Sequence, residues 1–406
     1  MLNSSRSVFA AVSISLLLAS CASVPPLLPL PPNATRLPTQ QTPVIVAQTA
    51  PPAPQSAPAA AATAALPERQ SALRPELQPT GPHIALIVPT TSKTFGKVAD
   101  AVKQGFIAGA TADGKTAPPY RIYSADDEAG TLAALYRRAA AEGAIAIVGG
   151  VTRDGANVLA RESGNVPSLA LNAPEAALPE NFFYISLNLD WEARLVARAA
   201  AQDGLKRVAL IASATSLAKR IQESFEKEWA RLGGEVVARV SINNDANDGQ
   251  RIKTQLDRAK PDVVFIAGDP RTARFARPYL PTGTPVFATS HALDARAGTV
   301  ANIDLESVRF LEMPWFVEKD HPAVMAYTRP EENMPLDYER LYALGIDAWR
   351  LTQLILKAAV SPTAARNIAP LDGVTGRLTL DGAQFVRALS TVEMRDGQTF
   401  LYRSAE

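Results

Sequence analysis

Cysteine is almost missing from this chain: Cys21 is its single thiol, so no internal disulfide can form. Histidine is nearly as scarce, and His83, His291 and His321 offer no pair at metal-ligand spacing, so no metal site is expected. No Gly-x-Ser-x-Gly elbow, Walker loop or Gly-x-Gly-x-x-Gly follows the first apolar strand, which leaves hydrolase and nucleotide-binding chemistry without a motif. No catalytic residue and no cofactor is therefore expected, and the chain is read as not an enzyme. An excess of one charge is lacking too. Lys and Arg number 41 against 40 Asp and Glu, a formal net charge of +1 with both signs interspersed, which excludes the electrostatic footprint of a nucleic-acid binder. No apolar stretch reaches the ~18 residues that mark a membrane-spanning helix.

What is there begins with an address. Arg6 precedes the apolar run Val8–Leu18, too short to span a bilayer, and the run ends in Leu18-Ala19-Ser20-Cys21. Those residues resemble the lipobox of bacterial lipoproteins. The resemblance implies a signal peptide over residues 1–20, cleavage before Cys21, acylation of Cys21 and, with Ala rather than Asp at position 22, residence in the outer-membrane lipid. Several acyl chains give a stable anchor where one gives marginal binding. The plainer alternative is an ordinary secretory signal with an incidental cysteine.

From Ala22 to Thr80 the chain holds 14 of its 32 prolines and no glycine. Such a segment buries too little apolar surface to offset its ordering entropy, so residues 21–80 read as a lipid-anchored, disordered or partly polyproline linker. As a coil it would reach roughly 40 to 50 Å, and as extended polyproline about 180 Å. It serves either to carry a globular head towards the cell-wall layer or merely to clear it from the lipid.

Beyond residue 80 short β-branched runs alternate with amphipathic stretches, the pattern of an α/β fold with parallel sheets. Strands are expected at His83–Val88, Tyr120–Ser124, Ala144–Val148, Pro167–Leu171 and Phe182–Ser186, with helices at Phe95–Thr111, Ala129–Glu142 and Asp154–Ser163. A second series opens with a helix at Asp190–Gln202. It continues through strands Val208–Ala212, Glu235–Ile242, Val263–Ala267 and Pro285–Thr289, with helices at Leu217–Leu232 and Gly249–Ala259. A long helix over Leu336–Ala359, a hairpin around Gly373–Asp381 and a hairpin turn at Asp396-Gly397 close the chain. Two doubly wound lobes joined by hinge crossings are therefore expected over residues 81–406. Lobe 1 takes about 81–187 and 316–360, and lobe 2 about 188–315 and 361–406.

Several stretches, in order, resemble the type I periplasmic binding protein fold and, within it, the LppC/LpoA-type lipoproteins that activate penicillin-binding proteins. They are Ile84-Ala85-Leu86-Ile87-Val88-Pro89, Gln104-Gly105-Phe106, Ile147-Val148-Gly149-Gly150, Leu169-Ala170-Leu171-Asn172, Glu192-Ala193, Ala343-Leu344-Gly345-Ile346-Asp347-Ala348 and Gly373-Val374-Thr375-Gly376-Arg377-Leu378. The likeness covers about residues 81–402. It departs at Leu187-Asn188-Leu189-Asp190-Trp191, which lacks that family's Pro-Glu-Asp wording, and in having a proline-rich tether where longer members carry a helical-repeat domain. The resemblance implies a partner, a bifunctional penicillin-binding protein, engaged in cell-wall synthesis. The alternative is a receptor for a small polar ligand, an amino acid or a cell-wall fragment.

In open α/β sheets a ligand sits outside the carboxyl ends of the strands. That rule, and the fold resemblance, nominate Thr90, Thr91, Ser92, Gly150, Val151, Thr152 and Asn172 from the first lobe, and Ser213, Thr215, Gly268, Asp269, Ser290 and His291 from the second. Each has a plainer role. Thr90, Thr152 and Thr215 suit helix caps, Asn172 a turn, Gly150 close packing and His291 a hinge or surface position. Asp126-Asp127-Glu128 reads as helix-start charge rather than as an acid and base pair.

Overall fold

The computed structural model describes residues 81–126, 128–293, 300, 302–330, 334–359 and 368–403; the expected signal peptide, Cys21 and the linker lie outside them. All the described residues belong to one compact unit.

The first series runs β1 (His83–Val88), α1 (Gly96–Asp113), β2 (Tyr120–Ser124), α2 (Ala129–Ala141), β3 (Ala144–Gly149), α3 (Arg153–Glu162), β4 (Ser168–Ala170) and β5 (Phe182–Tyr184). The second runs α4 (Leu189–Gln202), β6 (Arg207–Ser213), α5 (Ser216–Arg231), β7 (Glu235–Ile242), α6 (Asp248–Ala259), β8 (Val263–Ala267), α7 (Pro270–Ala276), β9 (Val286–Ala288) and β10 (Val308–Glu312). A long helix (Leu336–Ala359) then precedes β11 (Leu371–Gly373), β12 (Gly376–Asp381), β13 (Gln384–Ala388), β14 (Ser390–Arg395) and β15 (Gln398–Leu401).

Two sheets result, ordered β11-β12-β13-β5-β4-β3-β1-β2 and β15-β14-β10-β9-β8-β6-β7. Strands β1 to β5 pair in parallel, as do β6 to β10, while β11-β12-β13 and β10-β14-β15 are antiparallel ribbons at the far edges. Strand β1 is buried at every position because its period-2 alternation serves two cores. Ile84, Leu86 and Val88 face α1 and the long helix; Ala85 and Ile87 face α2 and α3. In the second sheet Val208, Leu210 and Ala212 pack on α4 and α5, and Ala209 and Ile211 on the opposite layer.

One expected boundary is corrected. Residues 361–406 do not all belong with the second lobe, since β13 pairs in parallel with β5 through Gln384 and Tyr184 and carries β11 and β12 onto the first sheet. Only β14 and β15 join the second. The chain therefore passes between sheets at residues 185–188, after β10 at Met313, and at the lone connecting residue Leu389. Strand β10 fell outside the expected set; the Asp396-Gly397 turn forms as expected, with φ of 49° and 72°.

Candidate functional site: strand-end loops and the buried hinge

Most of the nominated loop side chains are engaged with their own backbone. Ser92 Oγ accepts from the Thr94 and Phe95 amides, and Thr91 Oγ1 donates to the Ala125 carbonyl. Thr152, Thr215 and Asp269 are helix N-caps, accepting from Gly155 N at 3.0 Å, Ala218 N at 3.2 Å and Thr272 N at 2.8 Å. Ser213 shares a hydrogen bond with Thr215. Asn172 donates to the Val151 carbonyl and accepts from the Ala173 amide, joining the ends of β3 and β4. Gly150 has φ +64°, and a Cβ there would meet the Ala156 backbone at 2.8 Å; at Gly268 it would meet Thr272. Burial works against the Asp269 carboxylate, but the Thr272 hydroxyl and amide, with the His291 and Arg271 charges behind them, hold its pKa below the usual value. Thr90 is half-buried with an unpartnered hydroxyl, and Thr289, beside Ser290, is fully buried with another.

Ser290 reaches across to a helix that opens the second lobe. Its amide and hydroxyl both donate to the Glu192 carboxylate on α4, the hydroxyl at 2.8 Å. Glu192 is 4% exposed and opens a cluster of buried charge at the crossings. Glu312, at the end of β10, accepts from its neighbour Met313 N and from Arg340 Nη2 on the long helix. Arg387, near the end of β13, donates to the Thr375 carbonyl at 3.3 Å, and its Nε finds no partner. Asp347, wholly buried on the long helix, accepts from Val374 N, Thr375 N and Thr375 Oγ1 at 3.0, 2.8 and 2.6 Å.

Burial pushes the Glu192 and Asp347 carboxyls upward, opposed at Glu192 by the Ser290 donors and the Arg340 charge and at Asp347 by Arg350 and the turn donors. Burial also pulls Arg387 down to about 10 against the pull of Glu192, Glu312 and Asp347. Arg340 suffers the same burial, yet Glu312, Glu192 and Asp337 outweigh it and raise its pKa. Met313, Trp315, Tyr342, Ile346 and Val374 form the apolar part of this hinge core, into which Leu187 and Leu389 pack from two of the crossings.

The stretches that carried the sequence resemblance thus meet in space. The turn Gly373-Val374-Thr375-Gly376 is clasped by Asp347, and a Cβ at Gly373 would lie 2.6 Å from Asp347 Oδ2. Gly105 on α1 faces Gly345 and Tyr342, and Glu192 meets Ser290. Sequence reasoning missed Glu312, Arg340 and Arg387 as a cluster. Their one signal was a charge set among apolar neighbours, as in Phe310-Leu311-Glu312-Met313.

Two plainer roles also resolve. Asp126 accepts from Glu128 N and Thr131 Oγ1 at the start of α2, while Asp127 lies outside the described residues. The expected absence of a Walker motif is corrected: Gly109-Ala110-Thr111-Ala112-Asp113-Gly114-Lys115-Thr116 fits its spacing, but it runs from inside α1 into a single 3₁₀ turn, with Gly109 against Trp349, and so forms no phosphate cradle between a strand and a helix. Among the described residues no group of His, Cys, Asp and Glu gathers as a metal site, and no helix is long and apolar enough to cross a membrane.

A family model described as "LppC putative lipoprotein" matches residues 39–397. The chain is 25% identical over 368 residues to the penicillin-binding protein activator LpoA of Yersinia pseudotuberculosis serotype O:1b (strain IP 31758), covering 79% of this chain and 54% of that protein. To the protein of that name from Escherichia coli (strain K12) it is 22% identical over 325 residues, covering 68% and 46%. The chain spans about half the length of the curated relatives it matches. Among solved structures, one described as a putative branched-chain amino acid ABC transporter from Chromobacterium violaceum ATCC 12472 is 32% identical, with a TM-score of 0.65 over 77% of this chain and 100% of that one. The C-domain of LpoA (YraM) from Haemophilus influenzae, described as a regulator of PBP1A, has a TM-score of 0.65 over 79% of this chain and 100% of its own, at 20% identity, which speaks for the fold.

Proposed function

The chain belongs to the LppC lipoprotein family, and from that premise we propose that it is a non-enzymatic module that binds a bifunctional penicillin-binding protein and shifts it towards its active state in peptidoglycan synthesis. The observation that carries this reading is the family match over residues 39–397, joined by curated relatives named as penicillin-binding protein activators. The loop geometry is in keeping with it, because the nominated strand-end side chains cap helices and turns rather than stand ready for a substrate. In this proposal Cys21 carries the lipid that holds the protein in the outer membrane, and residues 21–80 span the distance to an enzyme of the inner membrane.

The test is direct. Immobilised protein should retain a bifunctional penicillin-binding protein, and free protein should raise that enzyme's polymerising or cross-linking rate. No complex at micromolar concentration together with an unchanged rate would overturn the proposal.

A second reading is favoured by the 32% identity along the whole of the Chromobacterium violaceum chain. In it, the strand-end loops close on an amino acid or another small polar molecule. Such a ligand would stabilise the fold by about 2.7 kcal/mol at one hundred times its Kd, so a thermal-shift series with leucine, isoleucine, valine and cell-wall fragments separates the two. A flat response removes the receptor.

A further inference from the structure

On the flank of the second lobe, two guanidiniums hold one carboxylate and a third lies one helical turn away. Glu228 on α5, its side chain 7% exposed, accepts from Arg198 Nε at 2.6 Å and from Arg231 Nε and Nη2 at 3.1 and 2.7 Å. The Arg231 bonds, with those of Arg198 and against the effect of burial, hold the Glu228 carboxyl down to about 2, so it stays charged and keeps both guanidiniums aimed. Neither terminal nitrogen of Arg198 is used in that contact, nor is Arg231 Nη1. Arg194, one turn earlier on α4, forms no ion pair among the described residues; with Arg198 it lies against the Trp191 ring, at 5.8 and 5.2 Å from its centre. Two guanidiniums on one carboxylate, with Arg194 on the same stripe of α4, leave an excess of positive charge on this face.

Between the helices opens a depression of about 670 Å³, lined by Arg198, Ala201, Gln202, Arg231 and Leu232. Trp191, Arg194, Arg198 and Ala201 follow at helical spacing, so they form a single stripe of α4. The lining comes from the carboxyl ends of α4 and α5, at the opposite edge of the sheet from the strand-end loops. The depression is too open to enclose a small molecule, whose sites bury most of the ligand. Arg and Trp beside an exposed leucine are instead the composition of a protein-docking hot spot, and guanidinium forks match carboxylates.

We infer that this flank docks an acidic segment of a protein partner, with carboxylates on Arg194, Arg198 and Arg231 and an apolar side chain over Ala201 and Leu232. The assignment rests on the preceding proposal that the chain acts by engaging a protein. It adds the surface and the chemistry of the contact, and it separates that contact from the strand-end loops.

The experiment titrates the full chain against a fluorescein-labelled peptide of Glu-Leu repeats, with Lys-Leu repeats as control, and reads fluorescence anisotropy. Saturable binding of the acidic peptide alone is expected. It should weaken at least about tenfold in the double variant Arg194→Glu/Gln202→Glu, and again as salt rises from roughly 0.05 to 0.5 M. Neither substitution touches Glu228, and an unchanged melting temperature will show the variant folded. Equal affinity of variant and wild type overturns the inference, as does the absence of acidic-peptide binding by wild type. Tighter capture by vesicles of anionic phospholipid than by the peptide overturns it in favour of a lipid surface. A second arm repeats the pair with a bifunctional penicillin-binding protein. A variant that loses the peptide but keeps the synthase overturns the inference. Wild type that binds the peptide but no synthase leaves the flank assigned and brings down the preceding proposal.

Discussion

Arg340 is the residue on which the hinge charge balance turns. It neutralises Glu312 directly and acts on Glu192 through space, and all three side chains are almost wholly buried. Removing one partner of such a set strands the others without water. The variant Arg340→Met, which keeps the volume and loses the charge, should lower stability by about 3 to 5 kcal/mol in urea denaturation. A loss under about 1 kcal/mol would mean that water reaches the cluster. Glu228 gives a pH-dependent counterpart. Its folded pKa lies near 2, below the ordinary 4.5, so its contribution to stability is complete above that ordinary value and is lost as pH falls towards 2. Glu192 and Asp347 run the other way: burial raises them, so their contributions are present below the ordinary range and fade as pH rises through their raised values. Melting curves over roughly pH 5 to 2 should therefore fall less steeply for Glu228→Gln than for the wild-type chain. At this scale the sequence was legible for caps and poor for charge. Thr152 and Thr215 stand just before helices, a local relation; Glu192, Glu312 and Arg340 lie far apart along the chain and meet only through the fold.

Helix α1 and the long helix touch more closely than any other pair whose glycines tell of it. A Cβ on Gly105 would stand 1.8 Å from the Tyr342 carbonyl oxygen, and one on Gly345 2.2 Å from that of Val102. Phe106 and Trp349 lock the same contact edge to face at 5.1 Å. Gly105→Ala must push the helices apart and should cost about 3 kcal/mol or more, the upper range of overpacking. Gly130, near the start of α2 with nothing within 4 Å, is the control: Gly130→Ala should be neutral or stabilising by up to about 1 kcal/mol. Chemical denaturation of the pair reads both, and equal effects would mean that the helices yield freely. Strands β1 and β8, which carry strong apolar runs, were legible to the residue, because a nearly continuous apolar segment has few other ways to be buried. Strand β10 was not: Arg309 and Glu312 interrupt its apolar run, and β9 and β14 flank it on either side.

At the scale of the whole molecule, the three passages between sheets share one dry core, so any rotation of one lobe against the other must shear Glu192, Glu312, Arg340 and Arg387 past each other. Anchoring is a separate property, which the proposed function assigns to Cys21. Replacing it in Cys21→Ala should abolish incorporation of radiolabelled palmitate and move the protein from the membrane to the soluble fraction of the envelope. Unchanged labelling and fractionation would remove the lipid from the proposal. The alternation of runs by itself determined that there would be two parallel sheets wrapped in helices, because burial on both faces demands continuous apolar strands and the connections between parallel strands demand helices. The tertiary structure alone decided that β11 to β13 return to the first sheet, that the distant motif at Gly373–Gly376 is held by Asp347, and that opposite charges are buried together at the crossings. The reason is physical. Periodicity is a property of neighbours along the chain, whereas edge pairing and buried charge balance depend on which distant segments the packed layers bring within hydrogen-bonding reach.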